Sequence, residues 1–336
     1  MAFLMLPAAL AVILLGARFF TNGVEWLGLR LGLARGAVGS VLAAIGTALP
    51  ETMIPVVAIV LGRGEDAAQE VGVGAILGAP FMLSTMGFIL AGLSAVILFR
   101  RGRGGRLTPQ PALTRRDLGF FLGTYLLAIG SAFLPGGTRT YVVYALLGAY
   151  VMFLARALTQ GEPVGEGGNG EGPGPLLVAP RLAVPPLWLI LGQVIAAFLI
   201  VMGGAKVFVN SVADMASGFG VAPLVFSMLV APVATELPEL CNSVIWIRER
   251  KDTLALGNIT GAMVFQGSIV PCVGIAFTNW ELTPAAMASA GLAVISAFLA
   301  YWFIGRRGYL NGWLLIGTGA LFYGLFVAAV TTGRLA

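Results

Sequence analysis

Gly46-Thr47-Ala48-Leu49-Pro50-Glu51 and Ala234-Thr235-Glu236-Leu237-Pro238-Glu239 place glutamates inside two long apolar runs. Each stretch has a threonine, then a proline, then a glutamate, and Thr47 and Thr235 are 188 residues apart. A charged side chain at membrane depth costs at least ~2.5 kcal/mol on insertion scales, so such residues usually mark ion or proton pathways. Two copies in matching halves point to a membrane protein built from repeats around a shared ion site.

Composition agrees with a membrane setting. The chain is 58% hydrophobic and 10% charged, with a mean hydropathy of +0.93, whereas soluble domains carry about 25% charged residues. Runs long enough to cross a bilayer recur along the whole length. The fold class expected is therefore an all-α polytopic membrane protein. Its pI near 9.6 is no nucleic-acid footprint, because the arginines cluster in short loops between apolar runs. The absence of histidine excludes a histidine-based metal site, triad or pH switch. Cys241 and Cys272 fall in apolar runs and read as small packing residues without a disulfide. The first apolar stretch lacks a basic leader and runs on into others, so it reads as a first membrane helix.

Ten spans fit the pattern, at about 3–29, 37–61, 71–98, 118–135, 140–158, 185–212, 221–247, 254–278, 283–304 and 310–331. Residues 159–182 are rich in glycine and read as a flexible linker. They separate a first five-helix repeat, 1–158, from a second, 183–336. Fifteen arginines and lysines fall in loops on one side of the expected spans and three on the other. The positive-inside rule then puts the linker in the cytoplasm and both termini outside. Low lysine with abundant alanine, glycine, leucine and arginine points to a prokaryotic plasma membrane.

The halves match beyond the glutamates. Gly16-Ala17-Arg18-Phe19-Phe20-Thr21-Asn22 matches Gly204-Ala205-Lys206-Val207-Phe208-Val209-Asn210 at the same offset of 188. Gly74-Ala75-Ile76-Leu77-Gly78-Ala79 matches Gly257-Asn258-Ile259-Thr260-Gly261-Ala262 at an offset of 183. The five extra residues of the first half are expected in the Arg63–Glu70 loop. Five spans per half is odd, so spans 1 and 6 cross in opposite senses and the repeat is inverted, an arrangement suited to alternating access around a midplane site.

Pro50 has no N–H, which frees the carbonyl of Gly46, and freed backbone at membrane depth must face protein or a wet cavity. Thr47 and Glu51 are four apart and share a helix face. Pro238, Thr235 and Glu239 repeat the device, with Glu236 on or beside that face. Oxygen-only clusters with several carboxylates suit Ca²⁺ and Na⁺. The candidate cation ligands are Glu51, Glu239, Thr47, Thr235, Glu236 and Gln266, which lies in span 8. Arg18 and Lys206 read either as snorkelling helix-end residues or as counter-charges. Asn22 and Asn210 read as interhelical hydrogen bonds. Gly74, Gly78, Gly257 and Gly261, spaced by four, read as close helix packing. Gln69 and Glu70 read as a solvated loop end.

At these residues the chain resembles the calcium/cation antiporter superfamily, the sodium/calcium exchangers and their prokaryotic relatives. Each repeat of that family carries Gly-Thr-Ser-Leu-Pro-Glu on its second helix and Gly-Asn-x-x-Gly-Ser-Asn on its third. The resemblance covers both halves and implies ten helices as two inverted five-helix repeats. It further implies that Glu51, Glu239 and the main-chain carbonyls of Thr47 and Thr235 form a calcium site. The flanking sodium donors depart from the pattern. The motif serines are Ala48 and Glu236, the third-helix serines align with Ala79 and Ala262, and the polar position four further on is Leu83 in one half and Gln266 in the other. An alanine methyl cannot ligate Na⁺, while crowding and burial of Glu236 favour a bound proton.

The expected function is a secondary active cation antiporter, exchanging Ca²⁺ or a similar cation for H⁺ or Na⁺ as spans 1 and 6 slide over the core. The partners expected are inorganic cations and the lipid bilayer, with no nucleic acid. No resident cofactor and no enzymatic residue are expected, Ca²⁺, Na⁺ and H⁺ being cargo. A non-transporting ion-binding or regulatory protein of the same fold is the alternative. An intramembrane hydrolase using the paired carboxylates is a third reading, which the symmetric repeat opposes.

Overall fold

The computed structural model describes residues 2–31, 48–62, 64–159 and 174–333, and these are almost wholly helical. The helices are α1 (Ala2–Arg30), α2 (Leu49–Leu61), α3 (Asp66–Leu98), α4 (Pro111–Gly130), α5 (Gly136–Thr159), α6 (Leu187–Phe219), α7 (Pro223–Arg248), α8 (Asp252–Gln266), α9 (Ile269–Phe277), α10 (Pro284–Arg307) and α11 (Gly312–Thr331). Two short strands, Arg106–Leu107 and Leu310–Asn311, pair antiparallel and tie the turn after α3 to the turn after α10.

Among the described residues, seven helical segments are long and apolar enough to cross a membrane, α8 and α9 counting as one, and α7 makes an eighth if its bent halves form one span. Two of the ten expected spans fall short for identifiable reasons. Only the end of span 37–61 lies among the described residues, as α2. Helix α4 starts seven residues earlier than the expected 118, and so takes in Arg115, Arg116 and Asp117.

The helices bury two apolar clusters. The larger gathers residues of α3 to α5 and α7 to α11, with Phe81, Phe121, Tyr125 and Trp280 fully enclosed. The smaller joins α1 and α6 to α2, the start of α3 and Ala231 of α7. Helix α1 packs along α6 through Gly16 and Gly204, where a Cβ at Gly16 would stand 2.7 Å from Val201 Cγ2. Helix α3 packs as tightly on α7. A Cβ at Gly74 would meet the Leu224 carbonyl oxygen at 2.3 Å, and one at Gly78 the Met228 carbonyl oxygen at 2.4 Å. Small residues let helix backbones approach this closely where lipid gives no hydrophobic drive.

The matching glycines behave differently. Among the described residues nothing lies within 4 Å of a Cβ built at Gly257 or Gly261. The offset of 188 puts the counterparts of Leu224 and Met228 at positions 36 and 40, outside the described residues. Other expectations need correction. Arg18 and Lys206 are both exposed, which excludes them from the buried carboxylates as counter-charges. Asn22 is an interhelical group, its Oδ1 accepting from Gln193 Nε2 of α6 at 3.0 Å, whereas Asn210 is exposed. Cys272 is buried but Cys241 is exposed, and both are free thiols. Gln69 and Glu70 belong to the first turns of α3, and Glu70 Oε2 accepts from the Leu224 N–H at 3.4 Å. That carboxylate sits at the N-terminus of α7, where the helix dipole favours negative charge.

Residues after Gly174 lie against the ends of α1 and α6. Trp26 Nε1 donates to the Gly174 carbonyl at 2.9 Å, Gln193 Oε1 accepts from the Val178 N–H at 3.0 Å, and Arg30 Nη2 donates to the Pro185 carbonyl at 2.8 Å.

Candidate cation site

Pro50 stands in the first turn of α2, where its missing N–H costs nothing and its fixed φ suits the helix. The next residue, Glu51, therefore occupies a helix N-terminus, the end whose dipole favours a carboxylate. In the other half the chain runs helically through Pro238, and α7 bends by 52° between Pro223–Leu237 and Glu239–Arg248. A proline inside a helix removes one hydrogen bond and crowds the preceding turn, which accounts for the bend. Glu236 lies just before the bend and Glu239 just after it.

These two helices bring three carboxylates together. One oxygen from each of Glu51, Glu236 and Glu239 lies within 4.8 Å of the others, and the three residues are 6%, 0% and 5% exposed. Ca²⁺–oxygen distances of 2.3–2.6 Å put opposite ligands of one ion about 4.6–5.2 Å apart. The cluster thus has the span of a single ion's coordination shell. Each pair of ionised carboxylates at that separation repels by about 3–4 kcal/mol at an effective dielectric constant of 20. Three negative charges in one buried site call for a compensating cation or proton.

Gln266 enters the same cluster from the end of α8. Its Nε2 donates to Glu51 Oε2 at 2.9 Å and to Glu236 Oε1 at 2.6 Å. The Thr235 hydroxyl lies 3.3 Å from the Ala231 carbonyl oxygen and 3.4 Å from Glu236 Oε1. Among the described residues the buried atoms Glu236 Oε2 and Gln266 Oε1 have no hydrogen-bond partner. A small cavity opens beside the cluster, bounded by Glu51, Thr235, Gln266, Ala75, Ala79 and Val270. Of the six expected ligands, five converge here, and Thr47 lies outside the described residues.

Helices α3 and α8 are irregular at positions matched by the offset of 183. Leu83, buried in α3, starts a widened π-type turn over Leu83–Gly87. Gln266, its counterpart at the offset of 183, is the last residue of α8 before the break at Gly267 and Ser268. A helix end lets a side chain reach across to another element, and Gln266 does so. Ala75 and Ala79 line the cavity where the second half has Asn258 and Ala262.

Several polar contacts were not foreseen. Asn258 Nδ2 donates to the Glu239 carbonyl at 2.9 Å and lies 3.2 Å from Ser243 Oγ, whose hydroxyl reaches the Ala255 carbonyl at 3.1 Å. The four-residue spacing of Glu239 and Ser243 was a usable signal for this. Asp117 on α4 accepts from Thr260 Oγ1 at 3.0 Å. Asp252 pairs with Arg101 Nη1 at 2.5 Å and accepts from the Thr108 N–H at 2.7 Å. No local pattern marks these last three contacts, since the partners are 143 or more residues apart.

Residues 1–159 and 189–332 match the family described as sodium/calcium exchanger protein. The candidate antiporter CaxA of Alkalimonas amylolytica is 27% identical over 300 residues, 87% of this chain and 85% of its own length. The crystal structure of the H⁺/Ca²⁺ exchanger CAX aligns with a TM-score of 0.70 at 12% identity, over 98% of this chain and 82% of that one. The sodium-calcium exchanger NCX_Mj aligns with a TM-score of 0.54 at 19% identity, over 98% and 97% of the two chains. At these identities the two structures establish a shared fold.

Proposed function

Since this chain belongs to the sodium/calcium exchanger protein family, we propose that it is a secondary active antiporter carrying Ca²⁺ or a similar cation against H⁺ or Na⁺. The observation that carries this reading is the buried triad of Glu51, Glu236 and Glu239, whose oxygens fall within 4.8 Å of one another. Glu51 and Glu239 are the principal cation ligands. The Thr235 and Thr47 carbonyls complete the shell, and Glu236 holds either part of the cation's charge or the counter-proton. H⁺ is favoured over Na⁺ as the counter-ion, because Ala48, Ala79 and Ala262 offer no side-chain oxygen where sodium donors are expected.

The proposed architecture is ten spans in two inverted five-helix repeats, 1–158 and 183–336, joined by the 159–182 linker. The matched interruptions at Leu83 and Gln266 support it. The linker is placed in the cytoplasm and both termini outside, on the distribution of basic residues. Helices α1 and α6, joined along a glycine-lined seam, form the body that slides over the core to give alternating access.

The test is ⁴⁵Ca²⁺ uptake into proteoliposomes of the purified protein, with outward H⁺ and outward Na⁺ gradients imposed separately. Uptake driven by H⁺ supports the reading, and uptake driven by Na⁺ alone reassigns the counter-ion. Glu51→Gln and Glu239→Gln each remove a buried charge partner of the cation, at about 2–5 kcal/mol, so affinity falls at least about thirtyfold. Undiminished flux in both variants would refute the site. Leu83, apolar where its counterpart is polar, favours the non-transporting alternative, which predicts calcium binding without gradient-driven flux.

A further inference from the structure

We propose that Gln266 is a built-in competitor of the transported cation: its amide nitrogen bridges Glu51 and Glu236, and a cation must displace it to gather both carboxylates. This rests on the cation-site reading above and assigns Gln266 the opposite role to a simple ligand. The amide is fully buried, and its Nε2 stands 2.9 Å from Glu51 Oε2 and 2.6 Å from Glu236 Oε1. With both carboxylates ionised, two oxygens at such distances require a donor, and the amide's only donor is its NH₂ group. The orientation therefore follows from chemistry, since turning the amide over would set its carbonyl oxygen against both carboxylates.

The geometry makes the NH₂ group a stand-in for positive charge. Its two hydrogens face two members of the triad, in the space where a cation would gather the same oxygens. Hydrogen bonds to charged acceptors are among the strongest a neutral group makes. They stabilise the empty site, and binding has to break them. The amide's other end completes the device. Gln266 Oε1 is buried with no hydrogen-bond partner among the described residues, so the amide is held by its nitrogen alone. Among the described residues its oxygen has no hydrogen-bond partner to resist rotation away from the carboxylates when a cation arrives. The position on the helix matters too. Gln266 is the last residue of α8, directly before the break, and its counterpart Leu83 shows that an aliphatic side chain of similar size fits a fully buried position at the matched interruption.

The experiment is equilibrium binding of ⁴⁵Ca²⁺ to the full-length purified protein at one fixed pH, for wild type, Gln266→Leu and Gln266→Asn. Removing the competitor destabilises the empty site, so Gln266→Leu is expected to bind Ca²⁺ about tenfold more tightly, the equivalent of 1.4 kcal/mol. Gln266→Asn is one methylene shorter and cannot span both carboxylates. It should shift affinity in the same direction by a smaller factor, and it serves if the leucine variant does not fold. Structural damage would weaken binding, so a tightened dissociation constant is a readout that a packing role cannot produce. Weaker binding in the variants would overturn the proposal and make Gln266 an ordinary ligand through Oε1. Affinity unchanged within about twofold in a folded variant would also overturn it. If wild type itself binds no Ca²⁺, the calcium-site reading fails first, and the wild-type arm separates that failure from failure of the competitor role.

Discussion

Glu236 and Gln266 are the residues at which this chain's chemistry departs from its repeat. Glu236 stands where Ala48 stands in the first half, and Gln266 where Leu83 stands, so both extra polar groups come from the second half. They meet each other at 2.6 Å, which makes the site asymmetric although the helices that build it are paired. A carboxylate can carry a proton across the membrane, and an alanine cannot. Glu236→Gln keeps the shape and removes that capacity. The expected outcome in the proteoliposome assay is loss of H⁺-driven ⁴⁵Ca²⁺ uptake by at least about tenfold, with residual calcium binding through Glu51 and Glu239. Undiminished H⁺-driven uptake would move the proton to another group. Glu51, Glu236, Glu239 and Thr235 were legible as candidates from the repeated threonine–proline–glutamate motif in apolar runs, and the structure brings them together. The contact between Gln266 and Glu51 was not legible, since 215 residues separate them.

At the scale of elements, the site depends on how α3, α7 and α8 are cut and packed. Gly74 and Gly78 bring α3 onto the α7 backbone at Leu224 and Met228, about two to three turns before Glu236. A leucine at Gly78 would drive its Cβ to 2.4 Å from the Met228 carbonyl oxygen, a contact backbone can relieve only by separating the helices. Overpacking of this kind costs typically 1–3 kcal/mol. Gly78→Leu should therefore lower the thermal unfolding midpoint in detergent and weaken calcium binding together, whereas an unchanged midpoint would argue against close packing there. The four-residue glycine spacing announced a tight helix contact, but not the partner helix. The helix interruptions were only half legible. Pro238 announced the bend of α7, and Pro271, four residues on, removes the partner of the Gly267 carbonyl at the break, but the widened turn at Leu83–Gly87 contains no proline. Ser84, Thr85 and Ser296 line that turn, with Ser84 and Thr85 hydroxyls on the Phe81 carbonyl and the Ser296 hydroxyl on the Ser84 carbonyl.

At the scale of the whole molecule, the triad lies where the two apolar clusters meet. Ile54, Ala75 and Ala231 of the smaller cluster and Val270 of the larger one all border the cavity. The two halves are also stapled together away from the site. Arg101, after α3, pairs with Asp252 at the start of α8 and also donates to the Ile247 carbonyl, while Thr108 N–H reaches the same carboxylate. Both charged side chains are under 10% exposed. Removing one partner of a buried pair leaves the other uncompensated, at a cost of about 3–5 kcal/mol. Arg101→Ala and Asp252→Ala should each lower the unfolding midpoint strongly, and the double variant should lower it by less than the sum of the two. Strict additivity would show that the pair does not couple the halves.

The amino-acid sequence by itself determined the membrane setting, the motif repeated at an offset of 188 residues, and the types of residue that gather at the candidate site. Each of those follows from local quantities: hydropathy over a span's length, motif spacing, and the high cost of a carboxylate in hydrocarbon. Tertiary structure alone decided which carboxylates meet, that Gln266 turns its nitrogen to two of them, and that α3 lies against α7. It also decided that Arg18, Lys206 and Asn210 face outward. The physical reason is reach. A helix pattern tells which residues share a face, but the neighbour of that face is set by packing between segments far apart in the chain, and no local period encodes it.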